Sequence, residues 1–309
     1  MPAPLFSVII PTLNRAERLV RAIQSVNAQT FQDFEIVVID DGTDHTAAVL
    51  APFGDRITYL RGPGAGVAAA RNLGMEKARG AYLAFLDADD RWYPRKLARV
   101  ADAIQASPAS GLFYSRIDYV GPSGERLVSP RIRCIRGDGY RALLEGDFIA
   151  NSAAVVKKAC IGEVGGFDPG LYGCEDWDLW IRIARRYPIW CLLETLVAYE
   201  YLSAGSFSAR MDLVLRGIDE VTAKSLQADP ALPAAVQRRI RSSVGYVRGR
   251  VCLGAQEPDR ALVEFRRALE LDSRNWRALI YIGALGTPWL GKLLPGRIKR
   301  ALRLPGIHE

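Results

Sequence analysis

Leu83-Ala84-Phe85-Leu86-Asp87-Ala88-Asp89-Asp90 ends an apolar run in three acids, and its reading decides the fold. A short continuous apolar segment is the pattern of a strand covered on both faces of a sheet. Clustered carboxylates at its end repel one another and resist loss of water. A hard divalent cation removes that penalty, because Mg²⁺ or Mn²⁺ prefers carboxylate oxygen and can hold phosphates as well. The carboxyl ends of strands are also where open α/β sheets place ligands. Asp is a favoured helix cap too, so a capping cluster for a helix near Pro94 is the competing reading.

Working outward, Phe6–Ile10, Glu35–Ile39, Ile57–Leu60 and Ala81–Leu86 read as strands. Between them Arg15–Ala28 has helical spacing, with Leu19, Ala22, Ile23 and Val26 on one stripe, and Ala68–Ala78 is a second helix. This alternation predicts an α/β fold: a Rossmann-like, mostly parallel sheet flanked by helices. Downstream, Arg95–Gln105 is helical, Leu112–Val120 is a strand leading into the turn Gly121-Pro122-Ser123-Gly124, and Asp176–Arg186 is a helix. Leu192–Tyr201 follows as a strand. From about residue 210 the pattern is helical, which predicts an all-α C-terminal extension. Within it Gly249, Cys252, Ala261, Phe265 and Ala268 resemble one tetratricopeptide-type helix pair, with Trp276–Leu285 opening a second unit. Gly245, Arg248 and Ser273 depart from that pattern, so a simple helical hairpin stays open as the alternative.

The 309 residues are 49% hydrophobic and 24% charged, a globular composition. The net charge of +7 is uneven: residues 205–309 carry 18 Lys+Arg against 10 Asp+Glu, and residues 1–204 carry 23 against 24. That asymmetry points the last third toward an anionic partner such as a membrane surface, with a partner protein as the other expectation and no nucleic acid. The basic, apolar stretch from Trp289 to Leu304 fits a membrane interface or a solvated tail, with Pro295-Gly296 interrupting any long helix. Five scattered cysteines without a C-x-x-C pair predict buried thiols and no disulfide framework. A strand-like run beginning at Leu5 leaves no room for a secretory signal, and no run of 18 apolar residues is present. The expectation is a cytoplasmic protein, with peripheral contact at the cytoplasmic membrane face.

Three further segments join the acidic strand end. Ser7-Val-Ile-Ile-Pro11-Thr12-Leu-Asn14 runs a strand into a Pro-Thr turn whose backbone can meet a flat ligand, or is an ordinary strand-to-helix loop capped by Asn14. Val37-Val-Ile-Asp40-Asp41-Gly42 delivers paired acids into a glycine turn, where a carboxylate can accept from a base N–H or a ribose hydroxyl. Turn chemistry from Asp and Gly is the other explanation. Gly62-Pro-Gly64-Ala-Gly66 opens a helix that carries Arg71, a guanidinium able to meet a diphosphate. Its G-x-G-x-G spacing departs from the dinucleotide fingerprint, which leaves a nicotinamide oxidoreductase weakly supported. Last, Gly173-Cys-Glu175-Asp176-Trp177-Asp178-Leu-Trp180 interleaves acids and aromatics at a helix start. An acid beside Trp in a cleft can have a raised pKa and act as a general base toward a hydroxyl.

In order and spacing these four segments resemble the family 2 glycosyltransferases of GT-A fold, over roughly residues 5–200. The resemblance implies inverting transfer of a sugar from a nucleotide-diphosphate sugar, with uridine favoured through the family. It implies that Asp41 holds the base, Asp87 the ribose side, and Asp89 a Mn²⁺ or Mg²⁺ on the diphosphate, with Ala88 between them. Pro11, Thr12 and Arg71 would line the nucleotide pocket. Asp176 would deprotonate the acceptor hydroxyl, with Glu175 and Trp177 on the acceptor side. The corresponding domains are a catalytic unit at 1–204, its nucleotide-sugar half about 1–95 and its acceptor half about 96–204, and a helical extension at 205–309. The stretch Asp118–Ala154 is the expected source of acceptor recognition.

Three departures qualify the resemblance. Asp40-Asp41-Gly42-Thr43-Asp44-His45-Thr46 is one residue short of the usual motif. Tyr199-Glu200-Tyr201-Leu202 stands where relatives often carry Tyr-Arg and a nearby His, which removes a cation from the diphosphate lid. No Gln-x-x-Arg-Trp motif follows, which favours a single sugar addition over processive synthesis. The expected acceptor is a glycan, lipid-linked or protein-linked hydroxyl. The alternative is a non-catalytic interaction protein on a degenerate transferase fold, with a partner-binding helical tail.

Overall fold

The computed structural model describes residues 3–130, 132–201 and 211–286. Among these, one mixed sheet contains β1 (Phe6–Thr12), β2 (Phe34–Asp40), β3 (Ile57–Arg61), β4 (Tyr82–Phe85), β5 (Arg91–Trp92), β6 (Leu112–Val120), β7 (Arg126–Val128), β8 (Arg136–Gly137), β9 (Ala154–Lys157) and β10 (Ile189–Glu200). The strand order is β3-β2-β1-β4-β9-β6-β10-β5, with β7 on β6 and β8 on β10. Strands β3, β2, β1 and β4 run parallel, as do β6 and β10, and β9 lies antiparallel between β4 and β6. The helices are α1 (Ala16–Asn27), α2 (Thr46–Leu50), α3 (Val67–Lys77), α4 (Lys96–Ala106), α5 (Tyr140–Leu144), α6 (Lys158–Val164), α7 (Glu175–Ala184), α8 (Met211–Ala228), α9 (Ala234–Gly254), α10 (Pro258–Leu271) and α11 (Trp276–Gly286).

Side chains alternate across each strand, so the apolar runs feed two cores. Val8, Ile10, Ile36, Val38 and Ala84 pack with Leu19 and Ile23 of α1 and Leu97 and Val100 of α4. On the other face Ile9, Val37, Ile39, Leu83 and Phe85 pack with Met75 of α3 and Leu179 and Trp180 of α7. This second core continues into Val214, Ile218 and Val221 of α8, and on to Phe265 and Tyr281.

Two expectations need correction, and one strand is additional. The Pro11-Thr12 turn is strand: Pro11 pairs with Ile39 and Thr12 with Asp40. Ile9 accepts from Leu86 N–H and Thr12 from Asp41 N–H, so Pro11 faces the β4 side, where the ladder has ended at Phe85. A residue without an N–H fits there because no ladder bond is required. The cysteines are not all thiols: Cys134 and Cys191 form a disulfide, with Cα atoms 5.1 Å apart, while Cys160, Cys174 and Cys252 are buried and free. The pairing of β8 with the start of β10 brings together positions 57 residues apart, which spacing alone does not reveal. Finally, β9 was not anticipated; four residues (Ala-Val-Val-Lys) make too short a run to separate from a loop or helix by period.

In the C-terminal part, α9 and α10 pack on each other, with Gly249 against Phe265 and Gly245 against Ala268. A Cβ on Gly249 would stand 2.4 Å from the Phe265 ring, and that ring lies 5.0 Å from Tyr281 of α11. No helix among the described residues is long and apolar enough to cross a membrane. The basic stretch from Trp289 to Leu304 lies outside the described residues, as does Leu202.

Candidate functional site

The three acids after β4 have separate environments. Asp90 is fully buried, accepting from the Ser152 hydroxyl and, at 2.8 Å, from the backbone N–H of Glu200. Burial pushes its carboxyl well above the usual range, and Asp89 and Asp87 add to the rise. Asp90 therefore anchors the end of β10 and the 151–153 segment to β4. Asp87 accepts from Arg71 Nη2 at 2.8 Å and from Asn151 Nδ2 at 3.2 Å, while its own N–H donates to Ser152 Oγ. Asp89 meets the Arg15 guanidinium. Burial raises its carboxyl, with Arg15 opposing and Asp87 reinforcing the rise.

Among the described residues no three His, Cys, Asp or Glu side chains converge as a self-contained metal cage. A Mg²⁺-type site needs no such cage, since one or two carboxylates can share the cation with substrate phosphates. Each of the three acids has a protein partner: Arg71 and Asn151 hold Asp87, Ser152 and the Glu200 N–H hold Asp90, and Arg15 meets Asp89.

The ends of β1 to β3 form the neighbouring wall. Asp40 is buried and takes bonds from Tyr59, Arg61 and Gly42 N–H, so it is tied to the strand below it. Asp41 is half-buried and accepts from Gly64 N–H at 2.9 Å. A Cβ at Gly62 would stand 2.0 Å from an Asp41 carboxylate oxygen, so a larger residue there would displace that carboxylate. Gly64 and Gly66 take φ of 67° and 90°, conformations suited to glycine, and Gly66 leads into α3. Asn14 does not cap α1; its carbonyl oxygen accepts from Thr43 and Asp44 N–H, and Asp44 accepts from Ala16 N–H. Thr12 is buried beside Asp40, its hydroxyl unpartnered. His45 is an exposed loop residue, 3.0 Å from Glu17.

Arg71 joins this wall to α7. Its guanidinium is buried, bonded through Nη2 to Asp87 and through Nη1 to Glu175 Oε1 at 2.7 Å, and lies over the Phe167 ring. Burial works against its charge, but Asp87, Glu175 and Asp176 outweigh this and raise its pKa above the usual value. Asp176 follows Glu175 at the helix start, half-buried, accepting from Trp177 N–H. Burial pushes its carboxyl well above the usual range; Asp147 and Glu175 add to this, and Arg71 opposes it. Trp177 and Trp180 are buried, donating their indole N–H groups to the Leu143 and Ile149 carbonyls. They fix the 143–149 loop beside α7, which brings in Asp147.

The structure thus brings Arg71, Asp87, Glu175 and Asp176 together, with Asp89 beside them and Asp41, Pro11 and Thr12 on the adjoining strand ends. Sequence reasoning missed Arg15, Asp147, Asn151, Ser152 and the buried Glu200. Glu200 pairs with Arg18 at 3.0 Å and Arg21 at 3.4 Å, so a carboxylate stands buried where a cation is usual. The signal available for the arginines was their recurrence at i, i+3 and i+6 along α1; nothing in the Asn151-Ser152 dipeptide distinguished it from a loop.

A model of glycosyl transferase family 2 matches residues 7–161, half of the chain. A PGL/p-HBAD biosynthesis glycosyltransferase of Mycobacterium bovis is 36% identical over 188 residues, covering 59% of this chain and 70% of that protein. An uncharacterized glycosyltransferase of Rickettsia felis is 30% identical over 200 residues, 60% of this chain but 32% of its own length. A second, from Rickettsia prowazekii, is matched over 63% of its length at 28% identity, so the chain spans only part of these relatives. In fold, the chain resembles S. aureus TarS 1–349 in complex with UDP-GlcNAc, at TM-score 0.57 and 16% identity over 94% of this chain and 92% of that one. It also resembles the mannosyltransferase PcManGT of Pyrobaculum calidifontis in complex with GDP-Man and Mn²⁺, at TM-score 0.59 and 18% identity over 97% and 85%. Matched over half its length by the family model, and folded as the sequence motifs required, the chain belongs to glycosyl transferase family 2.

Proposed function

We propose that this protein transfers a single sugar, with inversion, from a nucleotide-diphosphate sugar to a hydroxyl of a glycan, lipid-linked or protein-linked acceptor. The observation that carries this reading is the buried chain Asp87–Arg71–Glu175, which sets Asp176 beside the acids at the end of β4. Asp176 takes the proton of the acceptor hydroxyl, whose oxygen attacks the anomeric carbon. The bond from that carbon to the diphosphate breaks, and the nucleoside diphosphate leaves from the opposite face. One base and one in-line displacement invert the centre. A raised pKa suits Asp176 to this work near neutral pH.

On the donor side, Asp41 binds the base, Asp87 the ribose, and Pro11 and Thr12 the nucleotide's flat face. Asp89 would hold Mn²⁺ or Mg²⁺, which would neutralise charge on the departing diphosphate. Arg71 orients the two carboxylates and lines the nucleotide pocket. The UDP-GlcNAc and GDP-Man complexes of the fold neighbours support a nucleotide-sugar donor, and a UDP-sugar is the preferred assignment.

Calorimetric titration of UDP and a panel of UDP-sugars, with and without Mn²⁺, tests the reading. Metal-dependent binding that is lost in Asp89→Ala supports it. Absence of binding by UDP, GDP and their sugars overturns it in favour of an interaction protein.

A further inference from the structure

Positions spaced i, i+3 and i+7 lie on one face of a helix. Arg241, Val244 and Arg248 do so on α9, and Glu264, Arg267 and Leu271 on α10. Both faces line one groove of about 640 Å³, to which α8 contributes Asp219 and Leu226. The charges in it are unequally matched. Arg248 bonds both acids, Asp219 and Glu264, at 2.7 Å each, which fixes it in the wall. Arg241 and Arg267 are exposed and have no ion pair among the described residues. Arg238 and Arg266, exposed and equally unpaired, stand near them along the same helices and strengthen the positive field. Part of the lining is apolar: Val244 is buried, and Leu226 and Leu271 are half-buried.

We propose that this groove docks an acidic segment of another protein. Carboxylates of that segment meet Arg241 and Arg267, and an apolar side chain between them rests on Val244, Leu226 and Leu271. A guanidinium without an internal carboxylate is free to take an external one in two-point geometry. Charge decides the occupant. The chain's own residues 287–309 carry Lys292, Arg297, Lys299, Arg300 and Arg303 against Glu309, so the arginines repel them. A bilayer presents a flat face and does not enter a groove walled by three helices. A polynucleotide brings phosphates but no aliphatic side chain for the leucines, whereas a peptide brings both kinds of group. The basic excess of the last third thereby acquires a place on the surface, on α9 and α10. None of these residues belongs to the catalytic constellation, so failure here leaves the transferase reading intact.

The probe is a fluorescein-labelled peptide of four Glu-Glu-Leu repeats, titrated with the full chain and read by anisotropy. Its binding should weaken as salt is raised. The variant carrying Arg241→Gln and Arg267→Gln should bind it about tenfold or more weakly, with the Tm unchanged. A peptide with Lys in place of Glu, and one with Ser in place of Leu, should each lose about tenfold or more against the parent protein. Hydrogen exchange on the parent protein needs no variant, and the peptide should slow exchange in α8, α9 and α10. A peptide that does not bind, that binds the double variant as tightly, or that protects only residues 287–309 overturns the proposal. An oligothymidylate or phosphatidylglycerol vesicles binding through the two arginines, where the peptide does not, overturns it in favour of nucleic acid or lipid.

Discussion

Arg71 and Glu175 lie 104 residues apart in sequence, and their side chains meet at 2.7 Å inside the protein. Because the same guanidinium holds Asp87, one cation neutralises a carboxylate from each of two elements. Replacing it leaves buried charge without a partner. Arg71→Met should destabilise the fold by about 3–5 kcal/mol, read from urea unfolding. Adding Glu175→Gln should recover part of that loss, and a double variant no more stable than the single would contradict the pairing.

Asp176→Asn keeps the shape of the α7 start and removes the basic oxygen. The expected result is a kcat about 10²–10⁴-fold lower, with the donor Kd unchanged. Single-turnover transfer and calorimetry on the same preparation check it. A variant as fast as the parent excludes Asp176 as the base.

Its carboxyl is held above the usual range by burial, then by Asp147 and Glu175. The base form is the carboxylate, so activity should fall as pH drops through a value above that of an ordinary carboxyl. Asp147→Asn removes one repulsion and should move this acidic limb to lower pH. A limb moving the other way in kcat against pH would refute the assignment.

Lys96 is buried, its ammonium bonded to the Ala153 carbonyl and lying over the Trp92 ring. Burial pushes it down to about 7 from 10.5. Between those values the unfolded chain holds the proton and the folded chain does not, so this group makes stability rise with pH from about 7 toward 10.5. Below that window the penalty of the buried charge is fully present. Lys96→Met should flatten the rise and stabilise the protein at pH 6, measured as Tm against pH; an undiminished slope would point to another group.

Gly249→Val should disrupt the α9–α10 pair, since the added Cβ meets the Phe265 ring. A loss of about 1–3 kcal/mol is expected. Unchanged unfolding would mean that the two helices can separate at no cost.

Much of this arrangement was legible because each motif is local. The run Leu83–Phe85 before Asp87 announces a doubly covered strand, and the glycines before α3 announce a loop that only glycine can follow. Partnerships across sequence were not legible. Arg15 meets Asp89 because β1 and β4 are parallel neighbours, Asn151 meets Asp87 because β9 enters the sheet beside β4, and Cys134 meets Cys191 because β8 pairs with β10. The sequence around Arg71 shows only a helix start and glycines, while the two carboxylates that bond it come from β4's end and α7. Glu200 looked like the loss of a charge, whereas its neighbours on α1 supply two.

The packing of α8 against α7 bears on how this protein can be rebuilt. Lys224 of α8 holds Asp178 of α7 at 3.0 Å and Asp168 at 2.7 Å, and Gly217 lies so near Tyr172 that a Cβ would stand 2.7 Å from its carbonyl. The helix that carries the candidate base therefore has α8 as its back wall. Grafts that exchange the C-terminal helices between relatives should be joined after Ala228, keeping α8 with the sheet, because a junction before Met211 would strip the support from behind Asp176.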